Sequence, residues 1–252
     1  MDKFLILRSL PGLIEAAYTF ENKNANHNFL QRFYKKFCLF FSIIKNTFIK
    51  FDDFQRTINT DKLREEFKKI RHQHHSDSKP ICVYVVEGSN DGNGAILGNN
   101  LVYYHLYKIK LLSKHYNVFP SLVSSVEQLN KKLSKHKAKV NLIDMVAHGN
   151  NERVGSILLE NCKLQNISED GQMILDACST ASEEQSIATK IAQENNIEVF
   201  ACEAPLFFSK PHISDSNDHP RVEKVSHGFC IYEPYWMKKI DKPISSSQCI
   251  SE

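Results

Sequence analysis

Two short apolar runs, Val140–Ala147 and Met173–Ala177, each deliver a reactive side chain: His148 followed by Gly149 after the first, Cys178 after the second. Runs of this length, bounded by Asn/Gly and by Ser/Thr, are the pattern of strands buried on both faces, as in parallel sheets whose carboxyl ends carry functional loops. ICVYVV (81–86) is another such run, Ile197–Cys202 one more, and Asn117–Phe119 a shorter one. Helical periodicity separates them over 101–116, 121–135 and 183–195. Strand and helix in alternation predict an α/β fold, a largely parallel sheet with helices on both faces. Right-handed crossovers then bring Val86, His148 and Cys178 to one edge of that sheet.

The chain of 252 residues is long enough for one such domain and an appendage. Its organisation reads as a helical N-terminal region (1–80), an α/β domain (81–240) and a frayed tail (241–252). From His27 to Phe51 the residues Phe29, Leu30, Phe33, Phe37, Phe40, Ile44 and Phe48 recur at helical steps among Lys and Arg. That face is expected against the flank of the α/β domain, with a membrane surface or a partner helix as the alternative. A second helix is expected over 60–72, and HQHHSDSKP (72–80) has the composition of a linker. His72, His74 and His75 have no Cys or carboxylate at ligand spacing, so they do not suggest a metal site. VSHGFCIYEPYW (225–236) reads as a late strand or hairpin.

A net charge of +3 gives no argument for a nucleic-acid partner. The seven cysteines, at 38, 82, 162, 178, 202, 230 and 249, contain no CxxC pair, so they suggest neither a zinc cluster nor a disulfide framework. Reduced thiols point to a cytoplasmic, reducing environment. The apolar start of the chain is interrupted by Arg8 and Pro11, which makes a poor secretory signal and leaves only a signal-independent export route open.

A lone Cys after a buried strand is usually a small hydrophobe, and a lone His-Gly is usually a turn. It is their joint arrangement on successive strands that points to chemistry. The thiolate is the nucleophilic form of cysteine, and His148 can serve as the base beside it. A helix starting soon after Cys178 would favour the anion through its N-terminal N–H groups. Gly149 has no side chain to obstruct a substrate carbonyl, so its N–H and that of Cys178 could hold an oxyanion. This chemistry requires no metal and no cofactor.

MVAHGN and ILDACSTA together resemble the paired signatures of the caspase-like cysteine peptidases, which include caspases, metacaspases, legumains, gingipains, separases and bacterial CHAT domains. The resemblance spans residues 81–203 and implies a caspase-like fold, a protein or peptide substrate and a His148–Cys178 dyad. VYVVEGSNDG resembles the legumain strand ending in Gly-Ser-Asn, which implies that Asn90 orients the imidazole; the other reading of Asn90 is an Asx turn. In this family the residue two before the Cys lines the pocket for the side chain preceding the cut bond. Here that residue is Asp176, which implies cleavage after Arg or Lys, with Glu87, Asp91 and Glu203 as further carboxylates for the pocket.

Two other functions stay open on the sequence alone. One is a caspase-like scaffold that binds without cutting. The other is nucleotide binding through GSNDGNG (88–94), although its glycine spacing matches neither the dinucleotide fingerprint nor a P-loop. His227–Gly228 competes with His148 for the base, but the cysteine beside it, Cys230, is not borne at the end of an apolar run.

Overall fold

The computed structural model describes residues 57–73, 75–87, 91, 96–98, 101–156, 163–206, 208, 211–216, 220–230 and 233–243. A helix over 57–71 (α1) precedes β1 (Ile81–Glu87), α2 (Leu101–Leu112), β2 (Asn117–Val123), α3 (Val126–Leu133), β3 (Val140–Val146), β4 (Ile167–Asp176), α4 (Ile187–Asn195) and β5 (Glu198–Ala201). The chain continues through β6 (His212–Asp215), β7 (Val222–Cys230), β8 (Glu233–Trp236) and β9 (Lys238–Ile240). Six strands form one sheet in the order β2-β1-β3-β4-β5-β9, and β6-β7-β8 form a second. The first five strands of the large sheet run parallel, and β9 closes its edge antiparallel to β5.

Side-chain parity divides the core. Val83, Val85, Ile143, Met145, Met173, Leu175 and Val199 face α3 and α4 through Leu129, Leu133, Ile187 and Ile191. Tyr84, Val86, Leu142, Val146, Ile174 and Phe200 face α1 and α2 through Leu63, Phe67, Val102, Ile109 and Leu112. Both faces are covered, which is why the central strands read as continuous apolar runs. Strand order reverses between β1 and β3, and in open α/β sheets the crevice outside the carboxyl ends of such a strand pair is where ligands bind.

Several boundaries differ from the sequence reading. β2 passes through Pro120 to Val123, because an edge strand tolerates a residue with no N–H. The helix expected from 121 therefore starts at Val126, where the Ser125 side chain caps the Gln128 N–H. α4 begins at Ile187 and not at 183, with Ser186 accepting from the Thr189 N–H. The expected boundary at 72–80 also moves. Residues Phe54–Glu252 form one compact unit, and Leu63 and Phe67 of α1 are part of its core. The amphipathic stretch 27–51 lies outside the described residues, and among those described no helix is long and apolar enough to cross a membrane.

Candidate active site

His148 and Cys178 leave neighbouring parallel strands in step. Val146 of β3 pairs with Asp176 of β4, and each reactive residue follows two positions later. Adjacent strands are about 4.8 Å apart. Even-numbered residues of β3 and β4 face α2, so both side chains start from the same face; Cys178 packs against that half of the core. The Ala147 N–H donates to the Asp176 carbonyl at 3.2 Å, extending the ladder to the doorstep of the site.

Gly149 allows the two strand ends to touch. A Cβ there would stand 2.8 Å from both Ala177 Cβ and Thr180 Cγ2, and 3.1 Å from the Cys178 carbonyl oxygen. The loop after His148 is fixed by Gly155, at φ +54°, whose N–H donates to the His148 carbonyl at 2.6 Å. Its far side is tied to α4, whose Ile187 N–H donates to the Asn151 carbonyl at 2.7 Å. Neither the Gly149 N–H nor the Cys178 N–H is taken by a described backbone carbonyl outside the strand ladders, consistent with a pair of available donors.

Asp91, in the loop after β1, meets His148 Nε2 at 3.1 Å. Its carboxylate is itself gripped by the Ile96 and Leu97 N–H groups, at 3.1 and 2.7 Å. An ionised carboxylate only accepts, so His148 donates to it through Nε2–H, and in the neutral imidazole Nδ1 then keeps its lone pair. Asp91 is 1% exposed at its side chain and His148 31%, so a sealed carboxylate holds an imidazole that solvent can reach. Asn90, expected in the orienting role, lies outside the described residues, as does most of the glycine-rich loop 88–94.

Cys178 ends β4 at a sharp turn. Ser179 next to it has φ +53°, a conformation that costs a non-glycine residue about 1–2 kcal/mol. The other two described non-glycine residues with positive φ are Asn166 and Asn196, of a type that tolerates it. Because α4 starts only at Ile187, Cys178 does not sit at a helix N-terminus, and the expected dipole support for a thiolate is absent. The donor found at the sulfur is instead the Leu206 N–H, 3.2 Å from Sγ.

The carboxylates expected to receive a substrate cation are placed otherwise. Asp176 is fully buried and already paired: Lys108 Nζ bonds its Oδ2, and the Tyr104 hydroxyl donates to the same oxygen at 2.9 Å. Its cation belongs to the chain, which leaves no opening for an arginine or lysine of a substrate. Glu87 is also fully buried, beneath Gly155 and with Ser156 Oγ donating at 3.2 Å, and so supports the His148 loop from below. Asp91 is the partner of His148. Glu203 alone of the four is open, 54% exposed and 3.1 Å from Lys238.

Lys108 Nζ also straddles the Asp144 carboxylate, 2.8 Å from Oδ1 and 2.7 Å from Oδ2. All three charged groups are completely buried. Burial lowers the Lys108 ammonium, but the two carboxylates more than reverse it and hold the group above its ordinary value. Burial pushes Asp144 up to about 7, against the pull of Lys108 and with a further push from Asp176. His105, which bonds the Tyr84 hydroxyl at 2.7 Å and the Ile96 carbonyl at 3.0 Å, is drawn by burial down to about 4.

These shifts have opposite consequences for stability. Asp144 takes up a proton on folding, so its contribution is complete below the unfolded carboxylate value and is lost as the pH rises through about 7. His105 sheds one, so its contribution is present above the unfolded imidazole value and is lost as the pH falls through about 4. Asp144→Asn removes the first slope and leaves the second. Relative to wild type, the variant should gain on the order of 1–3 kcal/mol as the pH goes from about 4 to about 7. Urea midpoints at the two ends of this window measure it, and an unchanging difference would mean that Asp144 holds no extra proton.

Sequence reasoning missed Lys108, Tyr104 and Leu206, and gave Asp91 a different role. The signal for the buried charges was available: Asp144 stands among the apolar residues Leu142, Ile143, Met145 and Val146, and Lys108 falls on the buried stripe of α2 with Val102, His105, Ile109 and Leu112. His227–Gly228 lies within β7 of the second sheet. No family model matches this chain, and comparison with curated proteins and with solved structures returns no match.

Proposed function

We propose that the chain is a cysteine endopeptidase of caspase-like type, with Cys178 as nucleophile, His148 as base and then acid, and Asp91 as the group that orients His148. Its main support is the shared register of two reactive side chains at the ends of β3 and β4, beside an acid that fixes the proton on Nε2. In the cycle, His148 Nδ1 takes the thiol proton and the sulfur attacks the scissile carbonyl. The Gly149 and Cys178 N–H groups hold the oxyanion, His148 returns the proton to the leaving amine, and water hydrolyses the thioester. The mainly parallel sheet and the position of the site at the β1/β3 reversal agree with this reading.

Specificity for a basic residue before the cut bond loses its main carboxylate, since Asp176 is neutralised from within. A panel of internally quenched peptides varied at that residue therefore reads both questions at once. Cleavage by the wild-type chain that vanishes in Cys178→Ala supports the proposal. An effect on a candidate target that survives Cys178→Ala would leave a caspase-like scaffold that acts by binding.

A further inference from the structure

The sulfur of Cys178 meets the backbone of Leu206 from across the sheet end. The Leu206 N–H lies 3.2 Å from Sγ, while the Leu206 carbonyl oxygen is 3.9 Å away. The two distances discriminate between the forms of the side chain. A neutral thiol is only a weak acceptor for the N–H and a weak donor to the carbonyl at 3.9 Å. A thiolate is the much stronger acceptor, so a donor 3.2 Å from the sulfur favours the anion over the thiol.

The donor is held in place. Upstream, the Ser179 N–H donates to the Ala204 carbonyl at 3.0 Å and the Ala181 N–H to the Cys202 carbonyl at 2.9 Å, which joins the segment to the turn that carries the sulfur. At its centre the Leu206 side chain is buried in the core half that faces α2. Downstream, Phe208 packs on Tyr104 with ring centroids 4.9 Å apart, and Tyr104 is bonded to Asp176, two residues before the cysteine. A donor anchored on three sides needs no reorganisation when charge forms on the sulfur.

We infer that the main-chain N–H of Leu206 is the positioning group that holds Cys178 as a thiolate, the role a helix N-terminus would otherwise fill. The inference rests on the cysteine-nucleophile reading, but its test reads the sulfur and not the cleavage of a peptide. Iodoacetamide is the probe: the thiolate displaces iodide from the CH₂ carbon and forms a thioether, and the rate at Cys178 is followed by mass spectrometry of its peptide. Leu206→Pro deletes the N–H, whereas Leu206→Ala loses the same side chain and keeps it. At pH 7 the proline variant should react about tenfold more slowly than the alanine variant, the worth of one hydrogen bond to a charged group, and the two rates should converge in alkali.

Equal rates at pH 7, or a faster proline variant, would mean that the peptide merely covers the sulfur and would overturn the inference. Should Leu206→Pro fail to fold, the amide resonance of Leu206 in ¹⁵N-leucine-labelled protein answers instead. It should move with pH in step with the alkylation rate, and that movement should vanish in Cys178→Ser; a shift common to both proteins refutes the assignment. Slow alkylation of the proline variant in a protein that cleaves no peptide would leave the Leu206 contact standing and remove only the peptidase.

Discussion

Cys178→Ala should lower peptide hydrolysis by at least about 10⁴-fold, and Asp91→Asn by about 10³- to 10⁴-fold. Loss of the sulfur removes the acyl intermediate, so only binding and oxyanion contacts remain to assist water. The Asp91 effect follows from the two oxygens of its carboxylate. Oδ1 faces both His148 Nε2 and the Ile96 N–H, and Oδ2 faces the Leu97 N–H. An asparagine has one acceptor oxygen and one NH₂. If the oxygen stays on Leu97, the NH₂ points at His148 and forces its proton from Nε2 to Nδ1, the nitrogen that must be free to take the thiol proton. If it stays on His148, the NH₂ opposes the Leu97 N–H and the loop loses its anchor. Steady-state kcat/KM on the best peptide, with a melting curve to establish folding, measures the effect; retention of activity within threefold in Asp91→Asn would exclude it from the mechanism.

Lys108→Met should destabilise the protein by about 3–5 kcal/mol, the range for removing one member of a buried charge network. Lys108 is fully buried, and its loss strands Asp144 and Asp176 without a cation in the same half of the core. Burial has already driven Asp144 to about 7, so the variant can relieve that charge by keeping it protonated. The compensated variant Lys108→Met/Asp144→Leu/Asp176→Asn should recover most of the loss, because removing every charge costs far less than removing one. Urea unfolding of the single and triple variants reads this. A single variant within 1 kcal/mol of wild type would show that the network is not buried in solution. The cluster also joins α2 to β3 and β4 just below the site, so the triple variant tests whether alignment of the strand ends depends on it: lower activity at recovered stability is the expected result.

How far the site was legible depended on how local its causes were. β1, β3 and the end of β4 could be read because these stretches are buried on both faces and mainly apolar. The position of His148 and Cys178 two residues past neighbouring strand ends followed from parallel pairing, a rule of topology that alternating strands and helices already imply. The edge strand β2 was cut short at Pro120, since only its position at the sheet edge makes a missing N–H harmless. The start of α4 was missed because SEEQ (182–185) has helical composition, while the Ser186 side chain caps the helix further on.

Roles that depend on contacts between distant segments were read less well. The family resemblance puts Asp176 in the substrate pocket, and the need of a buried carboxylate for a cation turns that into specificity for Arg or Lys; the need was correct. Its supplier, Lys108, lies 68 residues away on α2, a contact that no local pattern encodes. The sequence by itself determined an α/β sheet and the two strands that end in His148 and Cys178, because burial on both faces imprints itself on consecutive residues. Only the tertiary structure decided that Asp91 faces His148, that Asp176 is spent on Lys108, and that Leu206 reaches the sulfur. Each of these depends on loops and helices packed across the sheet, where a few tenths of an ångström separate a hydrogen bond from none.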